Sequence, residues 1–112
     1  MARRSGNFSR VVVGTKDEVL YTGASTRDDA AQLGNALQET GFFTNRGASV
    51  LLKKKKHVTV VSFILDQGTW EHSGAVANFE ELGRRIAPSI GGFPIRLQLV
   101  DSTGTVRESL DL

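Results

Sequence analysis

The chain has no cysteine, one tryptophan, one tyrosine and two prolines among its 112 residues. Without cysteine it can form no disulfide, no thiolate nucleophile and no cysteine-ligated zinc or iron–sulfur site. It also lacks the run of about 18 apolar residues that a membrane-spanning helix requires. Its basic start is not followed by the apolar stretch of a signal peptide. We therefore expect no membrane partner and a cytoplasmic location.

Length and composition are typical of one globular domain. The 112 residues are 39% hydrophobic and 23% charged, which is the balance of an ordinary soluble protein. A chain of this size buries enough surface to fold without a metal or a disulfide. We expect a single α+β domain over residues 1–112, with frayed termini at 1–7 and 110–112.

Two segments repeat leucine and glycine at helical spacing, which predicts two amphipathic helices. Thr26 and Asp29 have the spacing of a capping box before the first helix, and Gly41 can end it in the left-handed conformation. The second helix is predicted over Ala75–Ile86. A glycine inside a helix costs roughly 1 kcal/mol relative to alanine, so we attribute both internal glycines to close packing against a neighbouring element. The repeated residues are Leu33, Gly34 and Leu37, and Leu82, Gly83 and Ile86.

Segments rich in β-branched and apolar residues predict six strands. They lie at residues 8–13, 18–22, 48–53, 58–66, 95–99 and 105–110. The element order is ββαββαββ, and its inner part resembles the ferredoxin-like split βαβ arrangement. That resemblance implies a two-layer structure, with an antiparallel sheet, two helices on one face and an extra hairpin or edge strand at each end. It leaves the pairing of 8–13 open, because strand 18–22 would already have two neighbours.

The strand at 58–66 is apolar on both faces, which suggests a partner. Two helices can cover only one face of the sheet, so either Val61, Phe63 and Leu65 or the residues that alternate with them need another cover. We expect an interface formed by these three residues and Tyr21. The leading hypothesis is a small non-catalytic interaction or assembly module that forms a homodimer or binds another protein.

A run of basic residues suggests a second hypothesis, the binding of nucleic acid or another polyanion. Ammonium groups at a hairpin tip repel each other, and a polyanion would relieve that repulsion and release its own counterions. The alternative is that the lysines are solvated and prevent edge-to-edge aggregation. Tyr21 and Phe63 could stack bases, although segment 57–63 lacks the glycines and the first aromatic of RNA-recognition strands. The candidate polyanion-binding residues are Arg10, Lys53, Lys54, Lys55, Lys56 and His57.

A loop before the second helix provides a third hypothesis, a site for a small ligand or a metal. Asp66, Trp70, Glu71 and His72 offer oxygen and nitrogen ligands, a possible proton-transfer pair and a large aromatic side chain. The spacing matches neither a zinc-protease helix nor a calcium loop, and no serine has the surroundings of a nucleophile elbow. We therefore expect no metal, no cofactor and no catalytic residues, and a binding function rather than an enzyme.

Overall fold

The structure is a computed structural model that describes residues 8–55, 57–65, 75–92 and 94–112, without the side chains of Ala75 and Val76. It confirms the α+β class, with one six-stranded mixed sheet and two helices. Among the described residues, no helix combines the length and the apolar character needed to cross a membrane. The elements are β1 (Ser9–Val13), β2 (Asp17–Gly23), α1 (Arg27–Glu39), β3 (Ser49–Lys54), β4 (Thr59–Ile64), α2 (Ala75–Ile86), a 3-10 turn (Ala87–Ile90), β5 (Ile95–Val100) and β6 (Val106–Asp111).

The strands lie in the sheet in the same order as in the chain. The pairs β1–β2, β3–β4 and β5–β6 are antiparallel, whereas β2–β3 and β4–β5, each joined through a helix, are parallel. The ferredoxin-like arrangement is not confirmed, because in it a third strand separates the two strands that a helix joins. Here each helical connection returns to the adjacent position. That leaves β2 free to pair with β1 on its other side.

The two helical crossovers have opposite hands. Strands β4 and β5 run antiparallel to β2 and β3, but both crossovers step the same way across the sheet. Both helices also pack on the same face, since Gly34 lies over Val13 and Gly83 lies over Leu97, and the strand register puts these two side chains on one face. When two crossovers step the same way and cover the same face but their strands run in opposite directions, the hands of the two crossovers are opposite. One crossover is therefore of the left-handed type, which is rare in proteins.

The capping box predicted for α1 is confirmed. Thr26 Oγ1 accepts from the Asp29 backbone N–H at 3.1 Å, and the Asp29 carboxylate accepts from the Thr26 backbone N–H at 2.9 Å. At the other end, Gly41 adopts a φ of +84°, and the Phe43 N–H donates to the Leu37 carbonyl at 3.0 Å. Backbone groups at both ends of the helix, which lack partners within the helix, thus gain hydrogen bonds from adjacent residues.

The packing role predicted for the two helical glycines is confirmed. A Cβ at Gly34 would lie 2.5 Å from Val13 Cγ2, and a Cβ at Gly83 would lie 2.5 Å from Leu97 Cδ1. Both distances are shorter than any ordinary carbon–carbon contact. Each helix therefore approaches the sheet at a position where only glycine fits without a shift of the neighbouring side chain.

The hydrophobic core lies between the helices and the sheet, and an aromatic cluster joins its parts. The Phe63 ring on β4 lies 5.1 Å from that of Phe42, which follows α1, and 5.2 Å from that of Phe79 on α2. Phe63 has no exposed surface. Such tilted and edge-to-face contacts add to the apolar burial, so this cluster fixes both helices against the middle of the sheet.

Hydrogen bonds to the carboxylate of Asp17 hold the loop before β3 next to the start of β2. Asp17 is only 1% exposed. Its carboxylate accepts hydrogen bonds from the backbone N–H groups of Asn45, Gly47 and Ala48 at 2.6, 3.0 and 2.8 Å. Burial alone would raise the pKa of Asp17, but the backbone donors together lower it below its usual value. Asn45, at a φ of +65°, in turn accepts two backbone N–H groups of the β1–β2 turn.

The C-terminal residues 110–112, for which the sequence predicts fraying, are paired with β5. The Leu112 N–H donates to the Ile95 carbonyl at 2.9 Å, and the Ile95 N–H donates to the Leu112 carbonyl at 3.1 Å. Leu112 also lies close to Gly83 of α2. The last strand is thus held both by the sheet ladder and by apolar contact with a helix. Residues 1–7 lie outside the described part of the chain.

Candidate binding groove on the open sheet face

The sheet face opposite the helices, which we call the open face, is crossed by two rows of aligned side chains. Residues on one face alternate along a strand, and paired residues on neighbouring strands share a face. The rows therefore run across the strands and bring together residues that are distant in the chain. One row contains Thr22, Lys53, Val60, Arg96 and Asp111, and the next contains Leu20, Leu51, Ser62, Gln98 and Ser109.

A depression of 280 Å³, which we call the groove, lies across these rows. Val60 and Ser62 are each 7% exposed although no described helix or strand covers them. The long side chains of their neighbours in each row bury them instead. For Val60 these neighbours are Lys53 on β3 and Arg96 on β5. The groove is lined by apolar Leu51 and Val60, by the cations Lys53, Lys55 and Arg96, and by Phe8, Thr22, Ser62 and Gln98.

The groove carries three positive charges and no carboxylate among its lining residues. Arg96 Nε donates to Asp111 Oδ1 at 2.7 Å, and this hydrogen bond raises the pKa of Arg96. The guanidinium has further N–H donors that this single contact does not use. Lys53 and Lys55 are exposed and form no ion pair with any residue in the described part of the chain. Two ammonium groups and one guanidinium therefore line the same small depression.

Strand alternation divides the lysine run between two faces. Lys54 Nζ lies 3.3 Å from Asp29 Oδ1 at the start of α1, on the helix side of the sheet. This contact and the backbone and hydroxyl hydrogen bonds from Thr26 lower the pKa of Asp29, although burial alone would raise it. Lys53 and Lys55, on either side of Lys54, both line the groove. The run thus provides two groove cations and one partner for a helix cap.

The polar groups of the groove include a hydrogen-bonded pair. Ser62 Oγ donates to Gln98 Oε1 at 3.0 Å, and the two residues are direct neighbours on β4 and β5. Because this bond uses the amide oxygen, both N–H donors of Gln98 remain for another acceptor. Ser62 has an amide as its partner, which cannot take up its proton, so the pair is suited to binding rather than to nucleophilic catalysis.

Two other predicted polyanion-binding residues, Arg10 and His57, do not join the groove. Arg10 lies on the open face of β1, where Nη1 is 3.5 Å from Glu18 Oε1. His57 is exposed in the β3–β4 turn and is not a lining residue. Lys56 lies outside the described residues. Of the five predicted residues that the structure describes, it brings Lys53 and Lys55 together at one site.

The predicted interface residues lie on the face that the helices cover. Val61 and Phe63 have no exposed surface and Leu65 is 8% exposed, while Tyr21 is partly buried against the same core. These side chains pack in or against the core of the folded chain, so Val61 and Phe63 offer no surface to a partner. Tyr21 and Phe63 are therefore also not placed to stack bases on the open face. Strand β4 is central, as expected for a strand that is apolar on both faces.

The predicted ligand loop, with Asp66, Trp70, Glu71 and His72, lies outside the described residues. Within residues 8–55, 57–65, 75–92 and 94–112, no three histidine, aspartate or glutamate side chains are grouped so that they could hold a metal ion.

A larger cavity of 600 Å³ lies at the end of the sheet next to Phe42 and Phe79. Two of its polar side chains, those of Asp17 and Ser49, are already engaged within the chain, whereas Thr44 and Arg46 also line it. The Asp17 carboxylate accepts three backbone N–H groups, and Ser49 Oγ donates to Glu18 at 2.6 Å. The rim ends at Leu65, which is the last residue before 66–74. This cavity therefore presents less free polar chemistry than the groove does.

The candidate site residues chosen from the sequence did not include Phe8, Thr22, Ser62 or Arg96. Strand alternation did suggest Arg96 and Gln98, with Tyr21, as the lining of a sheet face that would favour a ligand or nucleic acid if it were open. The sequence contained a signal for two of the omitted residues, Phe8 and Arg96. Phe8 lies two positions before Arg10, and Arg96 stands between Ile95 and Leu97, which are both buried. Period-two alternation would have put both on the open face. Their proximity depends on the strand order, which the pattern does not contain.

Comparison of the chain with protein-family models, curated proteins and solved structures returned no match.

Proposed function

We propose that this chain is a non-catalytic binding module that holds an extended polyanion in the groove on its open face. The observation that carries the proposal is the convergence of Lys53, Lys55 and Arg96 on one depression without a carboxylate among the lining residues. Like charges held close together repel each other, and an anionic chain that neutralises them also releases its condensed counterions. The sequence pI of 9.3 favours the same class of partner.

The sequence suggested a homodimer because one apolar face of the strand at 58–66 needed a cover. On the open face this reason is weaker than expected. Val60 and Ser62, the central positions of β4 on that face, are already 93% buried within one chain. They need no second subunit to exclude water. A groove with charged walls is also a poor match for a flat apolar interface.

The salt dependence of binding tests the proposal. The probe is a labelled inorganic polyphosphate of about 20 phosphates, followed by fluorescence anisotropy. If each of three contacts contributes roughly −0.7 to the log–log salt slope, binding weakens roughly 20-fold between about 50 and 200 mM salt. Replacing two cations in Lys53→Gln/Lys55→Gln should reduce that slope to less than half. Binding that is indifferent to salt or to these substitutions would show that the groove is not the site.

Lys54→Gln is the matched control, because Lys54 has the same charge and adjoins both groove lysines but contacts Asp29 on the opposite face. We expect it to leave polyphosphate binding nearly unchanged. An equal loss in Lys54→Gln and in Lys53→Gln would mean that only the total charge matters, which contradicts a defined groove.

Self-association through the sheet edges is a second candidate function. Val12 on β1 and Val106 on β6 are each 47% exposed, and these are the two edge strands of the sheet. Exposed apolar edge strands favour pairing with another chain. Sedimentation velocity over a range of concentrations tests this candidate, and Val106→Lys should abolish any dimer. A strict monomer at high micromolar concentration would contradict it.

A further inference from the structure

We infer that the polyanion is a single-stranded nucleic acid, with one base stacked on the ring of Phe8; this inference rests on the proposed function of the groove. Among the described residues that line the groove, Phe8 is the only aromatic one, and it is 47% exposed. A phenylalanine so exposed beside two lysines has an unfavourable contact with water that a stacked base would remove.

The arrangement of the groove suits a chain with alternating anionic and planar groups. Phe8 stands at the β1 edge and Arg96 stands on β5, four strand spacings away, which is about 19 Å. Lys53 lies between them. A strand laid across the sheet could thus place phosphates near Lys53 and Arg96 and a base over Phe8. A plain polyphosphate would use the cations and leave the ring exposed.

The size of the depression and the exposed ring favour a single strand over a duplex. A volume of 280 Å³ is just below the usual range of pockets for small ligands, so the depression suits single groups of an extended chain rather than a double helix. A duplex keeps the faces of its bases stacked within the helix, where the Phe8 ring could not reach them. The free N–H donors of Gln98 are available to base edges or sugar oxygens.

The experiment compares three probes of equal phosphate number on the intact chain: polyphosphate, single-stranded oligothymidylate and a duplex. One stacked base should make oligothymidylate bind about 5- to 150-fold more tightly than polyphosphate. Phe8→Ala should remove that advantage without changing the affinity for polyphosphate. Phe8→Trp should retain it, because the aromatic face is kept.

Val12→Ala is the control for loss of an exposed apolar side chain on the same strand. Val12 is as exposed as Phe8, at 47%, but does not line the groove, so its truncation should not affect any probe. Thermal unfolding of each variant confirms that it folds.

The outcomes separate this inference from the proposed function. If the affinity for oligothymidylate, like that for polyphosphate, depends on Lys53 and Lys55 but not on Phe8, the groove binds polyanions and base stacking is refuted. Duplex binding as tight as that of oligothymidylate also overturns the inference. If polyphosphate does not bind, the proposed function itself fails.

Discussion

Replacing Gly34 by alanine should destabilise the protein, although the same change stabilises most helices. The methyl group would gain about 1 kcal/mol from helix propensity. It would also lie 2.5 Å from Val13 Cγ2, roughly an ångström closer than ordinary carbon contacts. Valine is stiff at χ1 and Val13 is 7% exposed, so relief requires a shift of the helix or the strand. Overpacking of this kind costs about 1–3 kcal/mol.

The net effect is then a loss of about 1 kcal/mol of unfolding free energy, or a decrease of roughly 4 °C in Tm for a domain of this size. Urea denaturation at constant m-value measures it. Asn35→Ala, at the adjacent exposed position of α1, is the control and should stabilise by a few tenths of a kcal/mol. In the double variant Gly34→Ala/Val13→Ala the contact is absent, so the two changes should be strongly non-additive. A Gly34→Ala chain that is more stable than the unchanged one would refute the close approach of α1 to the sheet.

Three further predictions concern the fold. Gly83→Ala should cost less than Gly34→Ala, since the two closest atoms that its methyl group would meet are terminal methyl carbons of Leu97 and Leu112, which can move by side-chain rotation, and Leu97 Cγ is farther away, at 3.2 Å. A larger loss in urea denaturation than for Gly34→Ala would contradict this. Thr26→Ala removes the cap of α1 and should cost about 1 kcal/mol in the same assay, and an unchanged midpoint would mean that the capping box contributes nothing. Because the pKa of Asp17 is lowered in the folded chain, its ionised carboxylate stabilises the fold at pH values above the ordinary carboxyl pKa of about 3.9. This stabilisation is lost as the pH falls through the lower pKa of the folded chain. Asp17→Asn should therefore be less stable at neutral pH and show a flatter stability profile in acid; parallel profiles for the two proteins would show that the carboxylate of Asp17 is not responsible.

Local signals in the sequence predicted the helices well because their causes are local. The Thr26 capping box and the ending of α1 at Gly41 depend on residues within one turn of each other. The glycine in each helix likewise signalled a packing constraint, although not the identity of its neighbour. In all these cases the physical cause and the sequence signal occupy the same few positions.

The strand order could not be predicted in the same way. Periodicity shows which residues face the core but not which strands are neighbours. The rule that crossovers are right-handed favours a different arrangement from the one observed, in which the two crossovers have opposite hands. The ferredoxin-like strand order left the pairing of residues 8–13 open, because in that order strand 18–22 already has two neighbours.

The sequence named two residues that line the groove, Lys53 and Lys55, as candidates for polyanion binding, and this role stays a proposal. Treating the lysine run as one charged block hid the strand alternation that places Lys54 next to Asp29 and places Lys53 and Lys55 at the groove. Phe8 and Arg96 come from opposite ends of the chain, and they line one groove only because of the strand order of the sheet. No local pattern could have joined them.

A backbone amide NMR titration with oligothymidylate tests the central claim most directly, because it reports where the ligand binds. The account predicts that the largest shifts map to the groove strands at Thr22, Lys53, Ser62, Arg96 and Gln98, with little change in α1 and α2. Shifts concentrated on the helices, or none at low salt, would contradict the assignment of the open face as the binding surface.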